Sequence, residues 1–159
     1  DLSESVANYA TRAAEKLRED NLATDTMHLF LLTNRFNKKD LQYSNSIKIH
    51  LGYSTNDTIT IVKKALYGLK KIYRPGYKYK KAGVIMLNLA ESSDIKGLFE
   101  LNKKKSSSLM QSFDSINLRY GSSTIHTAAE GIKKTWSMQR QKISPCYTTR
   151  FSDLLKVQI

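Results

Sequence analysis

The chain has 159 residues, 40% of them hydrophobic, which is enough for one folded domain with an appended segment and excludes a disordered chain. Its 26 lysines and arginines against 14 aspartates and glutamates give a net charge of +12, which favours a polyanionic partner, nucleic acid ahead of an anionic membrane surface. No apolar run approaches the roughly 20 residues of a membrane span, and the single cysteine, Cys146, excludes an internal disulfide and a cysteine-rich zinc site and fits the reducing cytoplasm.

One helix and two strands are predicted at the start of the chain. Residues 1–20 carry apolar side chains at helical spacing and predict an amphipathic helix. Residues 26–33 predict a strand that is apolar on both faces. Residues 46–51 alternate apolar and polar side chains, the pattern of a strand with one buried and one wet face. The wet face of that strand consists of Ser46, Lys48 and His50.

A second helix and a third strand follow. Residues 57–73 place apolar side chains three or four positions apart and predict an amphipathic helix, which Pro75 and Gly76 end. Residues 79–89 predict a strand in which Gly83 marks a close approach to the backbone. One face of this strand carries Ala82, Val84 and Met86, and the other carries Lys81, Gly83 and Ile85.

This order of elements predicts an α+β domain over residues 1–90, an antiparallel sheet with two helices on one face. Three strands make a thin layer, so we expect a further strand to precede Asp1 and to complete a split βαβ arrangement. The edge that such a strand would cover is then open, and an open edge predicts self-association of this chain.

The remaining residues divide into a linker and a tail. Residues 91–108 are mostly polar and predict a linker, and residues 109–159 predict a small, mainly helical tail. The linker contains the motif Ile95-Lys-Gly-Leu-Phe99, which has two interpretations. Its apolar end either packs back onto the domain or enters an apolar pocket of a partner, and the sequence favours neither.

The string over residues 136–155 is the most specific part of the tail. Cations stand among aromatic side chains without the spacing of a core helix, and Pro145 pushes Ser144 towards an extended conformation. This pattern is typical of a tail that docks onto a partner molecule. The basic and aromatic residues concerned are Trp136, Arg140, Lys142, Tyr147, Arg150 and Phe151.

The sequence shows no constellation for catalysis. Two-metal phosphoryl transfer needs clustered carboxylates, whereas the acidic residues here are scattered, and no glycine-rich phosphate loop is present. The three histidines lack the spacing of a metal site. We therefore expect no catalytic residue, metal or cofactor in this chain. A rival hypothesis makes Cys146 a nucleophile, although no histidine lies near it in sequence.

The basic residues indicate a function more clearly than any catalytic motif does. Lysines and arginines lie on or beside the predicted strands among small polar donors, and such groups contact phosphates without reading base sequence. For a single lysine a solvated surface is the ordinary interpretation, but the whole set predicts DNA binding. The set is Arg35, Ser44, Asn45, Ser46, Lys48, Lys78, Lys80 and Lys81. Four lysines on the helix side are interpreted as solubilising: Lys63, Lys64, Lys70 and Lys71.

A free-standing RNA-binding α+β module is the alternative function. Such a module needs aromatic side chains on its wet sheet face, where they stack on bases. The predicted wet face of Ser46, Lys48 and His50 has none, which argues against this alternative.

Two motifs resemble one known family. The segment Tyr79-Lys-Lys-Ala-Gly-Val84 resembles the last strand of a little-finger domain, and residues 131–140 with 144–154 resemble a tail that other Y-family polymerases lack. The chain is thereby similar, over nearly its whole length, to the C-terminal part of the UmuC-type (ImpB/MucB/SamB) Y-family DNA polymerases, the group of the catalytic subunit of DNA polymerase V.

The resemblance implies an error-prone translesion polymerase of the SOS response as the parent protein. It implies that the palm, with its magnesium-binding carboxylates, is absent here and that the first little-finger strand precedes Asp1. The little finger of this family grips primer-template duplex DNA, partly through strand amides. By position, that role falls to residues 44–48 and to Lys80, Lys81 and Gly83.

The resemblance also implies protein partners. A clamp-binding peptide follows the little finger in this family, and Ile95, Leu98 and Phe99 stand in its place. Because Ile95 replaces the family's leading glutamine, we expect weakened binding to the sliding clamp. The tail is where the family meets the processed UmuD dimer and the RecA filament. Its expected anchors are Trp136, Arg140, Tyr147, Arg150 and Phe151.

Overall fold

The computed structural model describes residues 1–92, 100–132, 136 and 144–154, and of 100–105 it describes the helical backbone alone. The elements are α1 (Leu2–Glu19), β1 (Leu22–Thr33), β2 (Ser44–Thr55), α2 (Thr58–Ile72), β3 (Tyr79–Glu91) and α3 (Glu100–Tyr120), followed by single 3-10 turns at Ala128–Glu130 and Phe151–Asp153. The predicted α+β class is confirmed. Among the described residues, no helix is long and apolar enough to cross a membrane.

Strand β1 is the centre of the sheet. The strand order is β2-β1-β3, and β1 is antiparallel to both neighbours. A fourth strand could therefore join only outside β2 or β3. The predicted extra strand, and the self-association that an open edge would permit, both stay predictions.

Helices α1 and α2 cover one face of this sheet, as predicted. Met27, Leu29 and Leu31 of β1 point into the layer between sheet and helices and are fully buried. The helices approach the sheet closely, because a Cβ atom on Gly68 of α2 would collide with the Ile49 side chain of β2. Asp57 begins α2 by accepting a hydrogen bond from the Thr60 backbone N–H at 2.7 Å.

The prediction of a linker over 91–108 is wrong in its second half, because α3 already begins at Glu100. The polar run there belongs to a helix that packs against residues 1–90. Met110 is buried, and the Ser106 hydroxyl donates to Asp57 Oδ1 at 2.6 Å. Burial raises the pKa of Asp57, but hydrogen bonds from Ser106 and Thr60 outweigh it and lower that pKa below its usual value.

An arginine and an aspartate join α3 to the helix layer. Arg18 of α1 donates to both carboxylate oxygens of Asp114, at 2.6 and 2.7 Å, and its third nitrogen reaches the Asn56 carbonyl and the Thr58 hydroxyl. The Arg18 side chain is largely buried, so solvent screens this fork-shaped pair little.

A buried carboxylate holds the next segment on the same layer. Glu130 is 2% exposed and accepts hydrogen bonds from Asn8 Nδ2 at 2.9 Å and Thr11 Oγ1 at 3.1 Å. It also accepts from the Thr127 backbone N–H and hydroxyl, at 2.9 and 3.1 Å. Gly131 follows with φ of 69° and lies against Glu4. The first part of the tail therefore docks onto α1 of its own chain.

We expect Glu130→Ala to lower the free energy of unfolding by about 3 kcal/mol, because it leaves buried donors of Asn8, Thr11 and Thr127 without their acceptor. Urea denaturation followed by circular dichroism measures this. The matched control is Glu19→Ala, which removes an exposed carboxylate from the same helix layer. Equal midpoints for the two variants would contradict the assigned role of Glu130.

Candidate nucleic-acid interface

The sheet face opposite the helices is uncovered by the described residues, and we call it the open face. Strand pairing places residues of the three strands side by side in four rows, with one residue from each strand in a row. Each row is given from β2 through β1 to β3: His50–Thr26–Leu87, Lys48–His28–Ile85, Ser46–Phe30–Gly83 and Ser44–Leu32–Lys81. The β2 members of these rows are all exposed. On the open face, β2 thus carries polar and basic groups, β1 carries larger side chains, and β3 carries Lys81 and Gly83 at one end and the apolar Ile85 and Leu87 at the other.

Most of the predicted phosphate contacts on the strands meet on this face. The residues concerned are Ser44, Ser46, Lys48, Lys81 and Gly83. Asn45 is the exception, because it pairs with Leu31 on the helix side. Its amide donates to the Tyr43 hydroxyl at 2.9 Å, so the predicted contact between its side chain and DNA is not supported.

The remaining predicted cations lie at one end of the sheet, which we call the basic end. It consists of the β1–β2 loop (residues 34–43), the segment 74–78 and the first residues of β3. Its exposed cations are Arg35, Lys38, Lys39, Arg74, Lys78, Lys80 and Lys81. Lys81 belongs to the open face as well, so the basic end continues that face.

Local contacts tie the basic end together. Lys78 Nζ forms an ion pair with Asp40 at 3.0 Å, so part of its charge is already compensated. The Arg74 guanidinium lies 5.3 Å from the centre of the Tyr43 ring, and the Tyr43 hydroxyl donates to the Ile72 carbonyl at 2.6 Å. Lys80 lies at the register shift where β3 begins to pair with β1. The β1–β2 loop is therefore fixed to the end of α2.

Phe30 is the residue of this face that sequence reasoning missed. A Cβ atom on Gly83 would fall on the Phe30 ring. The close approach predicted at Gly83 is therefore made by this chain's own aromatic ring. The predicted wet face of Ser46, Lys48 and His50 has no aromatic residue, but β1 adds Phe30 to the open face, so the argument against RNA binding is weaker than the sequence indicated. The available signal was the position of Phe30 between the buried Leu29 and Leu31, since alternate strand residues point to opposite faces.

Two of the three histidines have hydrogen-bond partners within the chain. His50 Nδ1 is 3.0 Å from the Thr26 hydroxyl, and His126 Nδ1 is 3.3 Å from the Ser123 carbonyl. Within the described ranges, no group of three or more His, Cys, Asp or Glu residues is placed to hold a metal ion. The lysines interpreted as solubilising are exposed on α2, on the helix side of the sheet.

The predicted tail anchors that the structure describes differ in their surroundings: one makes a contact within the chain and three are exposed to solvent. Trp136 packs edge-on against Tyr9 of α1, with 5.8 Å between ring centres, so it serves an internal contact. Tyr147, Arg150 and Phe151 are exposed, Phe151 to 93%. They surround a turn in which the Cys146 backbone N–H donates to Asp153 Oδ2 at 3.0 Å. Four predicted residues lie outside the described ones: Ile95, Leu98, Phe99 and Arg140.

Comparison with known proteins matches the N-terminal and C-terminal parts of the chain to two different families. Residues 1–98 match the impB/mucB/samB family C-terminal domain, and residues 107–157 match a domain of unknown function, DUF4113. The chain is 35% identical to protein UmuC of Salmonella typhimurium over 161 residues, which cover 99% of this chain and 38% of that protein. It is 34% identical to protein MucB of Escherichia coli, over 94% of this chain and 36% of that relative. The chain thus spans a little over a third of these relatives.

We expect Gly83→Ala to destabilise the sheet by about 1–3 kcal/mol, because the new methyl group displaces the Phe30 ring. In combination with Phe30→Ala the same substitution should cost less, since the collision is gone. A double-mutant cycle of thermal or urea unfolding measures this coupling. Additive effects of the two substitutions would contradict the contact.

Proposed function

This chain belongs to the impB/mucB/samB family, and from that premise we propose that it is the DNA-binding and partner-docking part of an error-prone translesion DNA polymerase. The observation that carries the proposal is the open face, which is continuous with the basic end through Lys81. A duplex lying across β2 and the Lys81 end of β3 meets cations and small polar donors, which contact phosphates and sugars without reading sequence. A polymerase that copies any template needs this kind of grip.

Nucleotide transfer with magnesium belongs, in this proposal, to the palm of the parent polymerase. The present chain contributes by holding primer-template DNA. Lys48 and Lys81 lie on opposite outer strands, with β1 between them. This separation suits contacts to two phosphate backbones on either side of a groove. We place this activity in the cytoplasm.

The C-terminal unit is proposed to bind protein partners, the processed UmuD dimer and the RecA filament. Support comes from the exposure of Tyr147, Arg150 and Phe151, since aromatic and arginine side chains dominate binding energy at interfaces. Binding of Ile95-Lys-Gly-Leu-Phe99 to the sliding clamp stays a proposal about residues outside the described ones.

An RNA-binding module remains the second candidate, and Phe30 at the centre of the open face is the observation that favours it. The Phe30 ring, however, is partly buried and already packs against the Gly83 backbone. Competition between primer-template DNA and single-stranded RNA for the wild-type chain separates the two candidates. Displacement of the DNA by equimolar RNA would favour the module.

We expect the double variant Lys48→Gln/Lys81→Gln to bind duplex DNA more weakly and with a flatter salt dependence. The slope of log affinity against log salt should fall by about 0.9 for each phosphate that the variant no longer neutralises. Fluorescence anisotropy over a range of salt concentrations measures it. The charge-matched control is Lys64→Gln/Lys70→Gln on α2. An equal effect in the control would mean that net charge, and not the open face, holds DNA.

We expect Arg150→Ala and Phe151→Ala to weaken binding of the processed UmuD dimer at least tenfold while leaving DNA affinity unchanged, because both side chains lie exposed on the tail. Isothermal titration calorimetry on the full chain measures this. Leu118→Ala removes an equally exposed apolar side chain from α3 and serves as the control. Unchanged affinity in both tail variants would move the docking surface elsewhere.

A further inference from the structure

The β1–β2 loop presents two large apolar side chains to solvent. Phe36 is 88% exposed and Leu41 is 71% exposed. Both lie at the basic end, and Arg35, Lys38 and Lys39 flank Phe36. Single exposed apolar side chains are common on protein surfaces, so the case for a ligand depends on the cations beside Phe36 and on the order of the loop.

Polar hydrogen bonds hold this loop in shape. Gln42 Nε2, which has two N–H groups, lies within hydrogen-bond distance of three backbone carbonyls, those of Asn34 at 3.2 Å, Asn37 at 2.9 Å and Asp40 at 3.0 Å. The Phe36 backbone N–H donates to Asn34 Oδ1 at 3.2 Å. The loop therefore satisfies its polar groups internally.

The far side of the loop is fixed as well. Asn37 Nδ2 donates to Asp40 Oδ2 at 2.8 Å, and Lys78 pairs with the other oxygen of that carboxylate. The Thr33 backbone N–H donates to the Tyr43 carbonyl at 3.0 Å, which closes the loop. Phe36 is thus presented on an ordered support, and an ordered support lowers the entropy cost of binding.

An aromatic ring beside several cations is the combination that binds unpaired nucleotides. Bases stack on the ring whatever their identity, and the cations follow the phosphates. Paired bases inside a duplex offer no free face, so such a ring acts where a strand is single. Two apolar side chains are too few for stable anchoring to a membrane, which needs a larger apolar area or a second signal.

We propose that Phe36 stacks on an unpaired base of a single-stranded DNA extension while the adjoining duplex lies on the open face. The row Ser44–Leu32–Lys81 connects the loop to that face, so one substrate can reach both. This inference rests on the proposed function and adds to it a preference for a junction between duplex and single strand.

The test compares a blunt duplex with the same duplex carrying a single-stranded extension, in fluorescence anisotropy with the full chain. We expect Phe36→Ala to lower affinity for the extended substrate about tenfold and to leave blunt-duplex affinity unchanged. Phe36→Trp keeps a stacking surface and should retain affinity. Leu118→Ala removes a similarly exposed apolar side chain from α3 and is the matched control.

Gln42→Ala removes the side-chain hydrogen bonds of Gln42 within the loop while keeping the Phe36 ring, and should weaken binding of the extended substrate alone, by a smaller factor. Equally weakened binding of both substrates, or unchanged binding with Phe36→Ala, would overturn the stacking role. The stacking role would also be overturned if Phe36→Ala weakened binding to anionic lipid vesicles or to a protein partner while its affinity for DNA stayed intact. Failure of the wild-type chain to bind blunt duplex would refute the proposed function instead.

Discussion

Everything else in this structure depends on covering one face of a three-stranded sheet with two helices. Met27, Leu29 and Leu31 supply the apolar stripe that α1 and α2 bury. Because strand residues alternate between faces, burying this stripe forces His28, Phe30 and Leu32 onto the other side. The same constraint therefore builds the core and decides which side chains remain for a ligand.

The C-terminal unit adds a third layer on the helix side, and it is attached by apolar contacts, such as those of the buried Met110, and by polar ones. Glu130 reaches α1, and Arg18 of α1 reaches Asp114 of α3. A polar attachment of this kind needs all its partners, since a buried charge without its hydrogen bonds is costly. The described part of the C-terminal unit leaves the open face uncovered, so DNA and protein partners are proposed to meet opposite sides of the chain. The division of labour along the sequence becomes a division between two surfaces.

Aromatic residues have different roles according to the surface on which they lie. Phe30 fills the space that Gly83 leaves, and Trp136 packs against Tyr9, so both serve the fold. Phe36 and Phe151 are almost fully exposed on short, hydrogen-bonded supports. Composition does not distinguish these cases, because each ring has the same chemistry. The neighbour that the fold supplies decides whether a ring is core or contact surface.

The sequence by itself determined the fold class, the helix and strand order and the wet face of β2, because these follow from the periodicity of apolar side chains along short segments. It also pointed to the family through the motifs at 79–84 and 131–154. Only the tertiary structure decided that Phe30 covers Gly83 and that α3 starts inside the predicted linker. Those facts depend on strand register and on contacts between residues far apart in the chain, such as Glu130 with Thr11. Local patterns carry no record of such contacts, because the partner that satisfies a buried group is chosen by packing in three dimensions.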